Sequence, residues 1–313
     1  MNILIVPPND LITYDIPNRL YHLACKWQSR HTIYLFRYPH YPMSLDIERP
    51  LRYVPIIPNT KPAKNLGAYY LRNAKAINET FKRVLIKEPI DVVIHANILP
   101  SLFAVRLAKR YCIKSVYDYL DDFPSCAANY YENKVAKIIV HKISSVINIY
   151  NLRNSDILVT VSYGLKRLVE KYAKKTVYVI PNGVDTKLFK PMEKCKARKQ
   201  LALEKYDPIL LYYGSITEYV DYDALLRIIT QLKSTYPRIL LLLVGRIYKH
   251  SEKEEIIQKI KELRIKENVI LCPMQPQEKI PLYIAATDAV IAPYKVLPKN
   301  FTTPLKIFEV LAC

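Results

Sequence analysis

The sequence predicts an α/β protein made of two doubly wound domains, and three observations carry that expectation. Short β-branched apolar runs alternate with amphipathic helical stretches along most of the chain. The apolar runs are continuous rather than alternating, as in parallel strands buried on both faces. The alternation stops once, in the charged stretch KLFKPMEKCKARKQLALEKYD at 187–207, and then restarts. A chain of 313 residues has room for two domains at roughly 100–200 residues each.

In order, the first half reads as strands NILIV at 2–6, TIYLF at 32–36, DVVIH at 91–95, KSVYD at 114–118, DILVT at 156–160 and TVYVI at 176–180. Helical stretches lie around 16–29, 66–87, 99–111, 130–153 and 162–173. The second half reads as strands PILLYYG at 208–214, RILLLLVG at 238–245, NVILC at 268–272 and DAVIAPY at 288–294, with helices near 219–236, 251–264 and 277–287. This order predicts two Rossmann-like domains, 1–190 and 191–313, with parallel sheets facing across a cleft at the carboxyl ends of their strands, where such folds bind ligands.

Composition narrows the partners. With 47 Lys and Arg against 28 Asp and Glu, the net charge is +19, which favours an anionic partner: a phosphorylated substrate, a membrane surface or a nucleic acid. No helix-turn-helix, zinc-finger or RNP-like segment appears, so no nucleic acid is expected. The six cysteines are scattered, with no C-x-x-C and no His at ligand spacing, and read as reduced thiols in a cytoplasmic setting. The opening MNILIVPPND is too short in its apolar run for a signal peptide, and no stretch reaches the 18 or so apolar residues of a membrane span. Membrane contact is therefore expected to be peripheral.

The segment TVYVIPNGVDTKLF at 176–189 carries the most information. A strand ends at Pro181, Asn182-Gly183 suits a tight turn, Val184 returns to a core, and Asp185 can bond its own downstream backbone. PNGVD with Phe189 beyond it resembles the interdomain signature of family 4 (group 1) glycosyltransferases of the GT-B fold. DILVTVSYGLKRLVEKY upstream and LLYYGSI, LLLVG, NVILCPM, YIAATDAVIAPY and PLKIFEVLAC downstream follow that family's order and spacing. The resemblance covers about 155–313 well and the first 154 residues loosely.

The resemblance makes NFTTPLKIFEVLAC at 300–313 the nucleotide-binding helix. It implies that Thr303, Pro304 and Leu305 open the helix towards a diphosphate, where free backbone N–H groups and the helix dipole favour an anion. Lys306 would add a point charge, and Glu309 matches the acid that bonds the ribose hydroxyls. Gly214, Arg246 and Asn182 complete the expected donor set. The family often has a second Glu eight positions earlier; here that place holds Phe301. Gly214-Ser215-Ile216-Thr217-Glu218 lacks the Arg and Lys that many members carry there, which leaves the diphosphate to Lys306, Arg246 or Lys295. The family normally continues past the position of Cys313, so the second domain is expected to be incomplete, from a fragment or a shortened variant.

In the first domain, SVYDYLDDF places Asp118, Asp121 and Asp122 just after a strand. Mutual repulsion is expected to raise a pKa there and suit proton acceptance from an acceptor hydroxyl, so these three and His95 are the candidate catalytic groups. Asn97 lies close to His95 and competes with it for the place of the family's donor-touching His. The Gly-free first loop offers Asn9, Asp10, Tyr14 and Arg19 for acceptor contacts. Between 130 and 200 there are fifteen Lys and Arg against five acids. Within that stretch KVAKIIVHKISSVINIYNLR has a wide apolar face and reads as a core helix, although a basic face beside an apolar stripe also suits an anionic bilayer.

The resemblance to the family implies a hexosyltransferase-type glycosyltransferase. It would take a nucleotide-diphosphate sugar as donor and a glycan or lipid-linked hydroxyl as acceptor, with retention of configuration and with neither cofactor nor metal. The competing classes are a truncated, non-catalytic relative, a basic nucleic-acid-binding protein and a sugar-nucleotide epimerase.

Overall fold

The computed structural model describes residues 1–14, 17–41, 48–131, 133–216, 220–247, 250–295 and 304–313. The described residues divide into two compact units, one of residues 1–182 and one from Gly183 onward. The division comes earlier than the 190/191 boundary expected from charge patterning, because Val184, Leu188 and Phe189 pack into the core of the second unit. Gly183 does not adopt a positive φ, contrary to the tight turn read from Asn182-Gly183. The chain turns at Asp185 instead, whose Oδ1 accepts the Lys187 N–H at 3.0 Å and whose carbonyl accepts those of Leu188 and Phe189 at 3.1 and 2.8 Å.

The first unit has strands β1 (Asn2–Val6), β2 (Thr32–Phe36), β3 (Val54–Ile56), β4 (Val92–His95), β5 (Lys114–Tyr119), β6 (Ile157–Thr160) and β7 (Val177–Val179). All pair in parallel, in the order β3-β2-β1-β4-β5-β6-β7. Strand β3, with Pro55 inside it, went unread in the sequence; proline is tolerated there because β3 is an edge strand. The helices are α1 (Arg19–Trp27), α2 (Leu66–Lys87), α3 (Leu99–Arg110), α4 (Phe123–Asn129), α5 (Lys134–Asn154) and α6 (Tyr163–Glu170). The single helix expected over 130–153 is thus preceded by a separate α4. Side chains of Asn18, Asn65, Asn133 and Ser162 accept from backbone N–H groups at the starts of α1, α2, α5 and α6. Alternation along β1 sends Leu4 and Val6 to one core and Ile3 and Ile5 to the other.

The second unit opens with α7 (Lys194–Gln200), inside the stretch read as a linker. It continues as β8 (Ile209–Tyr213), α8 (Tyr222–Leu232), β9 (Leu240–Val244), α9 (His250–Glu262), β10 (Val269–Cys272), α10 (Ile280–Ala285), β11 (Ala289–Val290) and α11 (Leu305–Ala312). The described strands form a parallel sheet in the order β10-β9-β8-β11. Every residue of β9 is buried, which matches a central strand covered on both faces.

One expectation fails outright. Helix α5 is not a core helix: its buried residues are Ser144, Asn148, Asn151 and Leu152, while Val135, Ile138, Ile139, Ile143 and Val146 face solvent.

Candidate active site

The second unit builds its site where β8 and β9 end. Gly214, just past β8, has φ of 113°, a conformation that favours glycine. Gly245, just past β9, lies so close that a Cβ on it would fall 1.8 Å from the Gly214 carbonyl oxygen. The two glycines let neighbouring strand ends approach, and the Gly214 N–H donates to the Val244 carbonyl at 2.8 Å. The Lys306 side chain covers the resulting hollow, with Cε and Nζ 3.2 Å from where a Gly214 Cβ would stand.

Lys306 and Glu309 are three residues apart on α11 and so share one helix face. Lys306 Nζ stands 4.1 Å from the ring centre of Tyr212, 5.3 Å from that of Tyr294 and 5.7 Å from that of Tyr213, an aromatic cage that favours a cation. Burial pulls its pKa down to about 8, against the opposing pull of Glu309. The Glu309 carboxylate accepts the Tyr213 hydroxyl at 2.8 Å. Burial raises its pKa, opposed by hydrogen bonds from Tyr213 and Gln277 and by the charge of Lys306. Pro304 occupies the N-cap without a side-chain acceptor, and Leu305 begins the helix. The positive end of α11, a half-buried ammonium and a carboxylate thus converge beside a glycine floor, which suits an anion flanked by hydroxyl donors.

Arg246 follows Gly245 at the carboxyl end of β9, and its carbonyl accepts the Ile216 N–H at 2.9 Å. Asn182 belongs to the first unit, half-buried at its end. Thr303, together with Phe301, lies outside the described residues. Tyr212, Tyr213, Tyr294, Gln277 and Gly245 were not anticipated as site residues. The doublet Tyr212-Tyr213 before Gly214 was the available signal, since aromatic residues at a strand's end must face whatever the following helix brings.

In the first unit the predicted residues separate into different roles. Asp118 is 3 % exposed, and its Oδ2 lies 3.2 Å from Arg19 Nε. Burial raises its pKa to about 6 despite Arg19. At Asp118 the cause is desolvation; the carboxylate repulsion expected from SVYDYLDDF acts at Asp121, where burial first and Asp122 beside it raise the pKa. Asp118 Oδ1 is buried with no hydrogen-bond partner. Arg19 also donates from Nη1 to the Ile180 carbonyl at 2.6 Å, so it ties the start of α1 to β5 and to the end of β7. Asp121 accepts the Asp122 N–H at 2.8 Å, and Asp122 accepts Ser125 Oγ at 2.5 Å and the Tyr119 hydroxyl at 3.3 Å. Those bonds shape the turn into α4.

His95 is placed in the interior rather than at a ligand-facing mouth. It is fully buried, stacks on Tyr117 at 4.5 Å, and its Nε2 lies 3.1 Å from Ser155 Oγ. Burial lowers its pKa to about 3, so it is neutral in the folded chain. Asn97 is 5 % exposed and donates to the carbonyls of Pro7 and Pro8 at 3.1 Å each, fastening the first loop.

The loop residues expected to meet an acceptor are also drawn inward. Asp10 is 2 % exposed, pairs with Arg37 Nε at 2.8 Å and accepts backbone N–H groups of Ile12 and Tyr38. Burial pushes its pKa up, but Arg37 and the backbone donors outweigh this and hold it below the usual range. Asn9 accepts from Asn18 Nδ2 at 3.0 Å, and the Tyr14 carbonyl accepts from Arg49. Among the described residues, no three His, Cys, Asp or Glu side chains converge as a metal-binding group.

Comparison with known proteins follows the same division. The family model for Glycosyltransferase Family 4 matches residues 16–188, and that for Glycosyl transferases group 1 matches 193–313. Two curated relatives are D-inositol 3-phosphate glycosyltransferases: that of Segniliparus rotundus is 29 % identical over 129 residues, that of Nocardia farcinica 29 % over 134. The matched stretches cover 40 % and 41 % of this chain, and the chain spans only 29 % and 30 % of those relatives' lengths. Among solved structures, sucrose-phosphate synthase from Thermosynechococcus elongatus superposes with a TM-score of 0.75 at 16 % identity, covering all of this chain and 79 % of that one. Anabaena HepE in complex with UDP superposes with a TM-score of 0.72 at 14 % identity, with the same coverage. At such identities the likeness is one of fold.

Proposed function

The chain belongs to glycosyltransferase family 4, and on that premise we propose that it transfers a hexosyl group from a nucleotide-diphosphate sugar to a hydroxyl of a glycan or lipid-linked acceptor. The observation that carries this reading is the convergence of Lys306, Glu309 and the uncapped start of α11 over Gly214. Each part has a chemical counterpart in the donor. The diphosphate takes the ammonium and the helix N–H groups, and the two oxygens of Glu309 take the vicinal ribose hydroxyls in place of the Tyr213 hydroxyl. In the reaction the bond from the anomeric carbon to the diphosphate breaks, the acceptor oxygen bonds to that carbon, and the acceptor proton is released. Charge builds on the leaving diphosphate, so Lys306 and the helix amides stabilise the transition state more than the bound donor. Transfer is proposed to retain the anomeric configuration, as expected of the family. An acceptor carried on a lipid would require the protein to work at a membrane surface; among the described residues no helix is long and apolar enough to cross one.

The UDP bound to HepE makes UDP-sugars the first donors to test. Thermal denaturation with UDP-, GDP-, ADP- and dTDP-linked sugars is expected to show stabilisation by one nucleotide family, about 2.7 kcal/mol at a hundredfold excess over Kd. A folded sample that none of them stabilises would reject the donor site and leave a non-catalytic relative.

The depressed Lys306 pKa gives a pH signature. An anionic diphosphate prefers the protonated ammonium. Donor affinity is therefore expected to be flat below about pH 8 and to fall by up to about tenfold per pH unit above it. Calorimetric titrations across that range check this, and Lys306→Met should remove the dependence. An equally steep fall in Lys306→Met would assign the effect to another group.

A further inference from the structure

The Lys306 ammonium is held by aromatic rings from both faces of one sheet. Alternation along β8 sends Tyr212 into one core of the second unit and Tyr213 into the other. Lys306 Nζ nevertheless lies 4.1 and 5.7 Å from their two ring centres. One side chain reaches both rings only by passing over the end of the strand. The residue there is Gly214, whose missing Cβ leaves the room beside which Lys306 Cε and Nζ lie. Tyr294, from the segment after β11, adds a third ring at 5.3 Å.

The rings are fixed by bonds of their own. The Tyr212 hydroxyl donates to the Ser215 carbonyl at 2.8 Å, and that of Tyr213 to Glu309 at 2.8 Å. The backbone at Tyr294 forms an antiparallel bridge with Val220, and the Asp221 N–H donates to the Pro293 carbonyl at 2.7 Å. A lysine loses much rotamer freedom when it is fixed, and here the cage imposes that loss on folding rather than on ligand binding. An aromatic face attracts the ammonium without pairing it to an anion, so a phosphate has no such pair to break. Glu309, the charge facing Lys306 from its own helix, is engaged by Tyr213 and Gln277.

We propose that Tyr212 and Tyr294 are positioning residues: they hold the Lys306 ammonium over Gly214, so that the donor diphosphate meets a cation already in place. This rests on the assignment of the donor site to Lys306 and Glu309.

The test is calorimetric titration of UDP, GDP, ADP and dTDP, each beside its nucleoside, across the range around pH 8. Tyr294→Leu keeps an apolar side chain but has no ring face. It is expected to weaken nucleoside-diphosphate binding by about two- to thirtyfold and to leave nucleoside binding unchanged. The ring face favours the charged lysine, so its loss lowers the Lys306 pKa, and the fall in affinity should begin at a lower pH than in the unaltered chain. Tyr294→Phe keeps the face and should restore both the affinity and the pH profile. In a Lys306→Met background Tyr294→Leu should change nothing further, because a positioning residue acts through the lysine. Tyr294 is 36 % exposed, so its replacement should leave the melting temperature unchanged. Tyr212→Leu should show the same signature more strongly, its ring being closer; if that buried change prevents folding, the Tyr294 variants decide alone. Undiminished affinity in Tyr294→Leu, a loss of equal size at every pH, or a loss that persists in the Lys306→Met background would overturn the cage and leave the donor site standing. No binding of any of the four nucleotides to the unaltered chain would instead remove the donor site, and this inference with it.

Discussion

Gly245→Ala is expected to cost the second unit about 3 kcal/mol or more and to abolish nucleotide binding with it. The new Cβ would lie 1.8 Å from the Gly214 carbonyl oxygen and 2.7 Å from its carbonyl carbon. Both are backbone atoms, so no rotamer change relieves the clash. The strands must separate, yet β9 is buried along its whole length between β8 and β10. Separation would break the Gly214 N–H bond to Val244 and the 3.1 Å bond from the Gly245 N–H to the Cys272 carbonyl. A domain whose total stability is about 5–15 kcal/mol has little room for this. Urea unfolding of the variant would show it as an early transition of the second unit alone. Gly183→Ala is the control: nothing lies within 4 Å of its added Cβ and its φ is ordinary, so stability should hold or rise slightly. Equal midpoints for the two variants would refute the close approach of the strand ends.

Glu309→Ala is expected to weaken sugar-nucleotide binding by about 1.5–3 kcal/mol, a factor of about ten to a hundred and fifty. The carboxylate offers the two oxygens that a vicinal diol needs, and hydrogen bonds to a charged acceptor are the strong ones. The loss should be in donor affinity, with the fold intact, because the Tyr213 hydroxyl that Glu309 accepts keeps the Lys306 carbonyl, 3.4 Å away, as a second acceptor. Two controls separate ribose recognition from charge. A 2′,3′-dideoxy nucleotide should bind Glu309→Ala and the unaltered chain alike. Tyr213→Phe should leave affinity close to unchanged. Unchanged donor affinity in Glu309→Ala would remove Glu309 from the site.

Much of the scaffold could be read from the amino-acid order. The continuous runs NILIV, DVVIH and RILLLLVG read as strands, and each forms one, β1 and β9 buried along nearly their whole length. The short VPI strand at 54–56 was hidden by its proline, which an edge position tolerates, and α7 was hidden by the density of charge in KCKARKQ. Helix α5 misled for a different reason. Its valines and isoleucines look like a core face in one dimension. Periodicity shows that a helix has two faces without showing which of them is covered.

The same limit applies to the candidate residues. The resemblance to the family singled out Lys306, Glu309 and Gly214, and residue type brought Arg19 and Asp118 forward as separate possibilities. The sequence by itself determined the alternation of strands and helices, the excess of positive charge and the chemical types available. Only the tertiary structure decided that Arg19 pairs with Asp118, that Asp10 pairs with Arg37 inside the unit, that His95 is sealed against Tyr117 and Ser155, and that three tyrosines enclose Lys306. The physical reason is that the formation of a strand or helix, with its apolar positions set by which faces are buried, is local enough to leave a pattern in the chain. The partner of a charged or polar group depends on which strand ends and loops are brought together, and residues tens of positions apart carry no mark of that meeting.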